Sequence, residues 1–264
     1  MNRERGIAVV SVLWGVAILS LIAVALLSLS LTSAGLDRNA WNRARASSAA
    51  DGGVNQAILA LLDPRSAHQP RIDGTASTAS FDHIPIRIAI QDESGRINVN
   101  FAPKDIIAAA LAASGTAKDT ASEIAGRVVA RRGTTNPATP KFAYRALEDL
   151  LAVEGMTRAI LDRAQPLLTV FGRNETVNQQ LAPRAVLAVL PGLDAEAIDR
   201  IAKERDRRAQ LLAGDDVAGA PLGTPNTVFC ITVEATSGNA HVFRIAEVQF
   251  TGDVTRPYMI LDWR

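Results

Sequence analysis

The residues able to do acid–base, nucleophilic or metal chemistry are few, and most are poorly placed for it. His68, His83 and His241 lie far apart, which leaves a histidine-based metal or nucleophile site little material. The single cysteine, Cys230, excludes an intramolecular disulfide and any cysteine zinc cluster. Within the alternating segment NTVFCITVEA it reads as a small buried or half-buried strand residue rather than a nucleophile. Asp92 and Glu93 are adjacent carboxylates in the turn pattern Asp-Glu-Ser-Gly, where neighbours point apart, so both read as turn residues. Asp215 and Asp216 follow Gly214 in a loop where hard oxygen ligands could gather around Ca²⁺. Their spacing matches no fixed calcium-loop motif, and solvated loop carboxylates are the competing reading. No catalytic constellation emerges, and a non-enzymatic role is expected.

The most specifically placed residue is one that another protein could act upon. Gly6 follows a short leader carrying Arg3 and Arg5 and precedes Ile7 to Leu31, a run without a charged residue; the first charge beyond it is Asp37. As a helix rising about 1.5 Å per residue the run reaches about 37 Å, more than the ~30 Å of a bilayer core. The leader arginines would hold the N-terminus in the cytoplasm and send the remainder outward. Trp14, near the start of the run, reads as an interfacial anchor. An ordinary secretory signal is cut after its apolar region, whereas here the small residue stands before it. A plain signal anchor, or a signal peptide cut near Ser33-Ala34-Gly35, is the other reading of the leader alone.

The elements that must position these residues follow in order. No proline interrupts Thr32 to Leu62, and Ala46, Ala49, Ala50, Val54, Ala57, Ile58 and Leu61 recur at helical spacing. One helix is predicted from about Ile7 to Leu62, with a bend or a close packing contact at Gly52-Gly53. A polar linker, Ser66 to Ser80, leads into an alternating strand, His83 to Gln91, and Arg96 to Asn100 is expected to return as its hairpin partner. Residues 103–213 read as a long helical region, and the strand pattern resumes in Asn226 to Ala235, Ala240 to Thr251 and Arg256 to Trp263. Arg131-Arg132 before Gly133 reads as a helix C-terminus complemented by positive charge. The strands on either side of the helical region are expected to share one antiparallel sheet, because the first hairpin alone is too small to be stable.

Within the helical region LLAVEGMTRAILDR, Leu150 to Arg163, aligns with LAVLPGLDAEAIDR, Leu187 to Arg200, as helix, glycine turn, helix. This looks like the helix-hairpin-helix unit, whose nucleic-acid-binding form has a second glycine two residues after the first, so that backbone N–H groups approach a phosphate. Thr157 and Asp194 stand there instead, and a carboxylate at Asp194 with Glu196 beside it would repel a phosphate. The 28 basic and 27 acidic side chains nearly cancel, leaving no field to recruit nucleic acid. A membrane-tethered nucleic-acid-binding module is therefore the weaker alternative function, and no nucleic-acid partner is expected.

Basic leader, Gly6 and uninterrupted apolar helix together resemble the signal of type IV prepilins and type II secretion pseudopilins. The stretches RGIAVVSVLWGVAILSLIA, DESGRINVN (Asp92 to Asn100), LEDLLAVEGM (Leu147 to Met156) and LAPRAVLAVLPGLD (Leu181 to Asp194) extend the resemblance to the minor pseudopilins that carry a large insertion. It implies a pilin-like α+β fold in which a long N-terminal helix, membrane-spanning in its first half, packs on an antiparallel sheet with a large all-α domain inserted between strands. The corresponding divisions are a leader at 1–6, a transmembrane helix at 7–31, the second half of the helix and first strands at 32–102, the inserted domain at 103–213 and the closing strands at 214–264. It further implies cleavage between Gly6 and Ile7 by a prepilin peptidase, with methylation of Ile7, and calcium binding by the sheet domain as in relatives. Ser11 occupies the position where most pilins carry a glutamate thought to pair with the amine of a neighbouring subunit, and its absence implies a tip position. The implied partners are the other minor pseudopilins of the I and J types, the major pseudopilin, the inner-membrane platform of the secretion system and membrane lipid. The implied location is the inner membrane, single-pass, with the N-terminus cytoplasmic and the C-terminal domain periplasmic.

Overall fold

The computed structural model describes residues 3–63, 70–132, 143–172, 174–214 and 223–264, with helix side chains described except at 3–11, 25–36 and 211–214. Helix α1 spans Arg3–Leu62, a length of about 90 Å at 1.5 Å per residue. Its apolar residues at helical spacing, Ala46, Ala49, Ala50, Val54, Ala57, Ile58 and Leu61, are all buried, as predicted from the spacing. The preceding half is different: Val12, Leu13, Trp14, Leu19 and Leu21 are each more than 60% exposed, the last at 74%. Among the described residues no helix is long and apolar enough to cross a membrane, and within the apolar run side chains are described only over 12–24.

The buried half of α1 lies on a five-stranded antiparallel sheet ordered β1-β2-β5-β6-β7. Its strands are β1 (Asp73–Phe81), β2 (Ile84–Asp92), β5 (Val228–Ser237), β6 (Ala240–Phe250) and β7 (Tyr258–Trp263). Ile84, Ile86, Ile88 and Ile90 of β2 and Phe229, Ile231 and Val233 of β5 face the helix and complete one core with it. The helix runs on through Gly52 and Gly53, and glycine at both positions lets it approach the sheet closely. A Cβ on Gly53 would stand 2.8 Å from Val233 Cγ1, and one on Gly52 would stand 2.4 Å from the Phe81 ring.

Two expectations about strands need correction. The stretch expected to be a linker contains all of β1 but its last residue, hidden from pattern reading because Asp-Gly-Thr-Ala-Ser-Thr-Ala-Ser-Phe has no apolar alternation and buries neither face fully. It forms because β2 offers a free edge, and Phe81 pairs directly with Ile84, leaving Asp82 and His83 as the entire loop. Both have positive φ, 46° and 62°, as a type I′ turn requires. Second, Arg96 to Asn100 does not return along β2. That edge is taken by β5, which pairs with β2 from Ile86↔Ala235 to Asp92↔Phe229. Instead β3 (Ile97–Asn98) pairs in parallel with β4 (Leu168–Thr169), forming a separate two-stranded sheet.

Between β2 and β5 the chain builds a second core around Ile97, Val99, Ile107, Leu111, Ile124 and Leu161. Its helices are α2 (Lys104–Ala113), α3 (Lys118–Arg131), α4 (Arg158–Ala164), α5 (Arg184–Leu187) and α6 (Ala195–Gly214). The block is not all-α: it contains β3 and β4, and Leu147–Ala152 and Gln165–Leu167 are 3₁₀ turns where α-helix was expected. Pro166 accounts for the second, since it cannot donate within a continuing α4. Asp149 accounts for much of the first by accepting from the backbone N–H of Arg145 at 2.7 Å and of Ala146 at 3.1 Å. Those donors hold its carboxyl below the ordinary range. The mixture of helix and antiparallel sheet is consistent with the expected pilin-like arrangement.

Candidate functional site

Gly6, Ile7 and Ser11 all fall on the helical backbone of α1, whose first residue is Arg3. A protease requires an extended backbone, so cleavage between Gly6 and Ile7 would require the first turn of α1 to unwind. Asp215 and Asp216, with the calcium expectation attached to them, lie outside the described residues. Trp14 is on the exposed face of α1, 68% accessible.

The segment DESGRINVN, read from sequence as a hairpin, is the joint between sheet and helical block. Asp92 ends β2 and accepts from Ser94 N at 2.8 Å, starting a 3₁₀ turn at Glu93–Gly95. Gly95 lies so close to the segment entering α5 that a Cβ would stand 2.4 Å from the Leu181 carbonyl oxygen. Gln91 Nε2 donates to that carbonyl at 2.9 Å, and Asn178 N donates to Ser94 O at 2.8 Å. Asn98 Nδ2 donates to Phe171 O at 2.7 Å. Asn100 is fully engaged: Nδ2 donates to Tyr144 O at 2.9 Å and Val170 O at 3.1 Å, and Oδ1 accepts from Tyr144 N at 3.0 Å. The turn after β2 and the segment entering α5, far apart in sequence, therefore meet here. Arg132 also contributes more than helix-end charge, donating through Nε to Val99 O at 2.7 Å and through Nη1 to Ala102 O at 2.8 Å.

Behind this joint is a buried polar cluster that no local window of the sequence assembles. Cys230 on β5 and Glu247 on β6 are directly paired across the strands, on the face opposite α1. Glu93 arrives from the turn after β2, so Glu93 is not a solvated turn carboxylate but a residue only 1% exposed. Arg96 Nη1 approaches Glu93 Oε1 at 3.0 Å. One oxygen of each carboxylate and Cys230 Sγ all lie within 4.8 Å of one another. They sit at the floor of a cleft of about 600 Å³ between the sheet and the helical block, with Arg145, Glu148 and Arg264 at its rim.

One arginine among two buried carboxyls cannot balance both charges. Burial raises the Glu93 and Glu247 carboxyls alike, and the two repel when ionised, so the pair retains a proton at neutral pH. Glu247, its Oε2 without a hydrogen-bond partner, is pushed up to about 8, by burial first and the Glu93 charge second. Burial, then Glu247, pushes the Cys230 thiol well above its usual range and keeps it protonated. Arg96 stays charged: burial opposes this, but the acidic neighbours outweigh it. The register Cys230↔Glu247 follows once the β5–β6 turn is placed; the arrival of Glu93 has no such signal.

The internal repeat is real in conformation. Gly155 and Gly192 both adopt positive φ, 87° and 79°, between a short helical turn and the next helix. The residues two positions later serve as helix caps: Thr157 Oγ1 accepts from Ile160 N at 3.3 Å and Asp194 Oδ1 from Ala197 N at 2.7 Å. Those N–H groups are committed within the protein.

No protein-family model and no curated protein matches the chain. Among solved structures it is similar to a chain in the crystal structure of the GspK-GspI-GspJ complex from the type 2 secretion system of enterotoxigenic Escherichia coli. The TM-score is 0.45 and the identity 12%, over 89% of this chain and 98% of that one.

Proposed function

We propose that this chain is a minor pseudopilin of the K type, seated at the tip of a type II secretion pseudopilus, where it initiates or caps assembly for export of folded proteins across the outer membrane. The observation that carries the reading is α1. One unbroken helix, Arg3–Leu62, packs on the sheet through its second half and carries exposed leucine, valine and tryptophan over residues 12–24. Apolar surface of that extent must be covered, and lipid before assembly and neighbouring helices afterwards are the coverings a pilin-type subunit uses. In this reading residues 7–31 span the inner membrane, the leader is cytoplasmic and everything beyond is periplasmic. The partners are smaller minor pseudopilins of the I and J types, the major pseudopilin, the prepilin peptidase and the inner-membrane platform. The work is done by packed surfaces and not by bond chemistry.

Ser11 supports the tip position, since a subunit with nothing stacked above it needs no carboxylate to pair with an incoming N-terminus. The helical block supports it too, being large enough to crown a narrow filament and to obstruct its shaft. The test is mass spectrometry of the chain purified from membranes of cells containing the peptidase. The expected product begins at a methylated Ile7, and Gly6→Ala leaves most of the chain uncut. An intact Met1 terminus in the unsubstituted protein would sink the proposal.

A further inference from the structure

We propose that Glu93, Cys230 and Glu247 form a binding site for one thiophilic divalent cation of the zinc class, entered from the cleft between the sheet and the helical block. The three side chains are 1%, 5% and 4% exposed, and their ligand atoms all lie within 4.8 Å of one another. Independently of that proximity, Glu247 Oε2 is a buried oxygen with no hydrogen-bond partner, and Glu93 Oε1 has only its ion pair with Arg96. An unmatched buried oxygen is one that a ligated cation would satisfy.

The donor set selects the metal. Calcium takes about 6–8 oxygens, whereas this floor offers one sulfur and two carboxylates. Zinc is satisfied by about four ligands of mixed S, N and O type, and water from the cleft would supply the fourth. Ligands on a tetrahedral zinc stand about 3.5 Å apart, so closure from the present spacing needs only side-chain rotation. Backbone pairing already fixes two of the three, because Cys230 and Glu247 are cross-strand partners.

Charge also balances. Without metal, the carboxyl pair shares one proton and one charge, which offsets Arg96, while Cys230 keeps its proton. With metal, the thiol and the carboxyl pair each release a proton to water in the cleft. The cation and Arg96 then together offset a thiolate and two carboxylates. The buried cluster is neutral in both states, no oxidation or reduction occurs, and Arg96 becomes the positioning and charge-balancing neighbour.

The test is titration of the full-length chain, in detergent and freed of metal by chelation, with Co²⁺ alone. The expected result is a near-ultraviolet thiolate-to-cobalt charge-transfer band that saturates at one equivalent and disappears when Zn²⁺ is added. Cys230→Ser should abolish the band. Glu247→Gln, a near-isosteric change, should weaken zinc binding by about tenfold or more in competition with a chromophoric chelator. Asp215→Ala with Asp216→Ala should leave the band intact. Far-UV circular dichroism of each variant separates loss of the site from loss of fold. No band in the unsubstituted chain, or unchanged zinc affinity in folded Cys230→Ser, would overturn the assignment.

Discussion

Replacing Gly52 and Gly53 one at a time by alanine sets helix propensity against packing at adjacent positions. Each substitution gains about 1 kcal/mol of helix propensity, because glycine loses more backbone freedom on folding than alanine. At Gly53 the new methyl would stand 2.8 Å from Val233 Cγ1 and 3.0 Å from Ile86 Cδ1. Carbon atoms prefer about 3.5–4.0 Å, so helix and sheet would have to part by roughly 0.7 Å. Val233 is 0% and Ile86 2% exposed, and neither can turn away. Overpacking of this kind costs about 1–3 kcal/mol, leaving Gly53→Ala about 1 kcal/mol less stable overall. At Gly52 the clash at 2.4 Å is with the tip of the Phe81 ring, a side chain 38% exposed at the end of β1 that can swing into water. Gly52→Ala is therefore expected near neutral. Thermal unfolding of the full-length chain in detergent, followed by far-UV circular dichroism, should place Gly53→Ala about 2–4 °C below the unsubstituted protein and Gly52→Ala close to it. Equal or greater stability for Gly53→Ala than for Gly52→Ala would refute the claim that the sheet excludes a side chain at Gly53.

Asn100→Ala removes three buried hydrogen bonds to Tyr144 and Val170, and at about 1 kcal/mol each should destabilise the chain by roughly 3 kcal/mol in urea unfolding. Arg244→Ala removes contacts from β6 to Asp51 and Ser47 of α1, but the pair is part-exposed, so a loss of about 1 kcal/mol or less is expected. Burial alone would raise the Asp73 carboxyl, but hydrogen bonds from Arg71 and Thr75 outweigh it and hold it below 3.8. Its contribution to stability is thus present above that pH and lost as pH falls through the lower folded value; Asp73→Asn should flatten the acid limb of a stability–pH profile. If the chain caps a filament, Ser11→Glu places a carboxylate with no partner in the apolar helix at about 2.5–3.5 kcal/mol. A lower membrane-inserted fraction in carbonate extraction should follow.

The elements whose cause is local are legible in the sequence. The buried stripe from Ala46 to Leu61 follows from spacing on a 3.6-residue period. Helices α2 and α3 fall inside residues 103–213, the stretch that reads as helical. Gly6 stands out by its order relative to the apolar run, and Ile7 and Ser11 by the resemblance that order carries, neither of which needs tertiary information. Tertiary structure alone decides the rest. Strand β1 exists because β2 has a free edge, and Arg96 to Asn100 leaves the sheet because β5 takes the other. Glu93 looks like a turn residue in every local window; it becomes a buried partner of Cys230 and Glu247 only when strands separated by the whole helical block close into one sheet. Periodicity reports what a residue's neighbours in sequence favour, and a cluster assembled from a turn and two strands beyond the helical block leaves no trace in any of them.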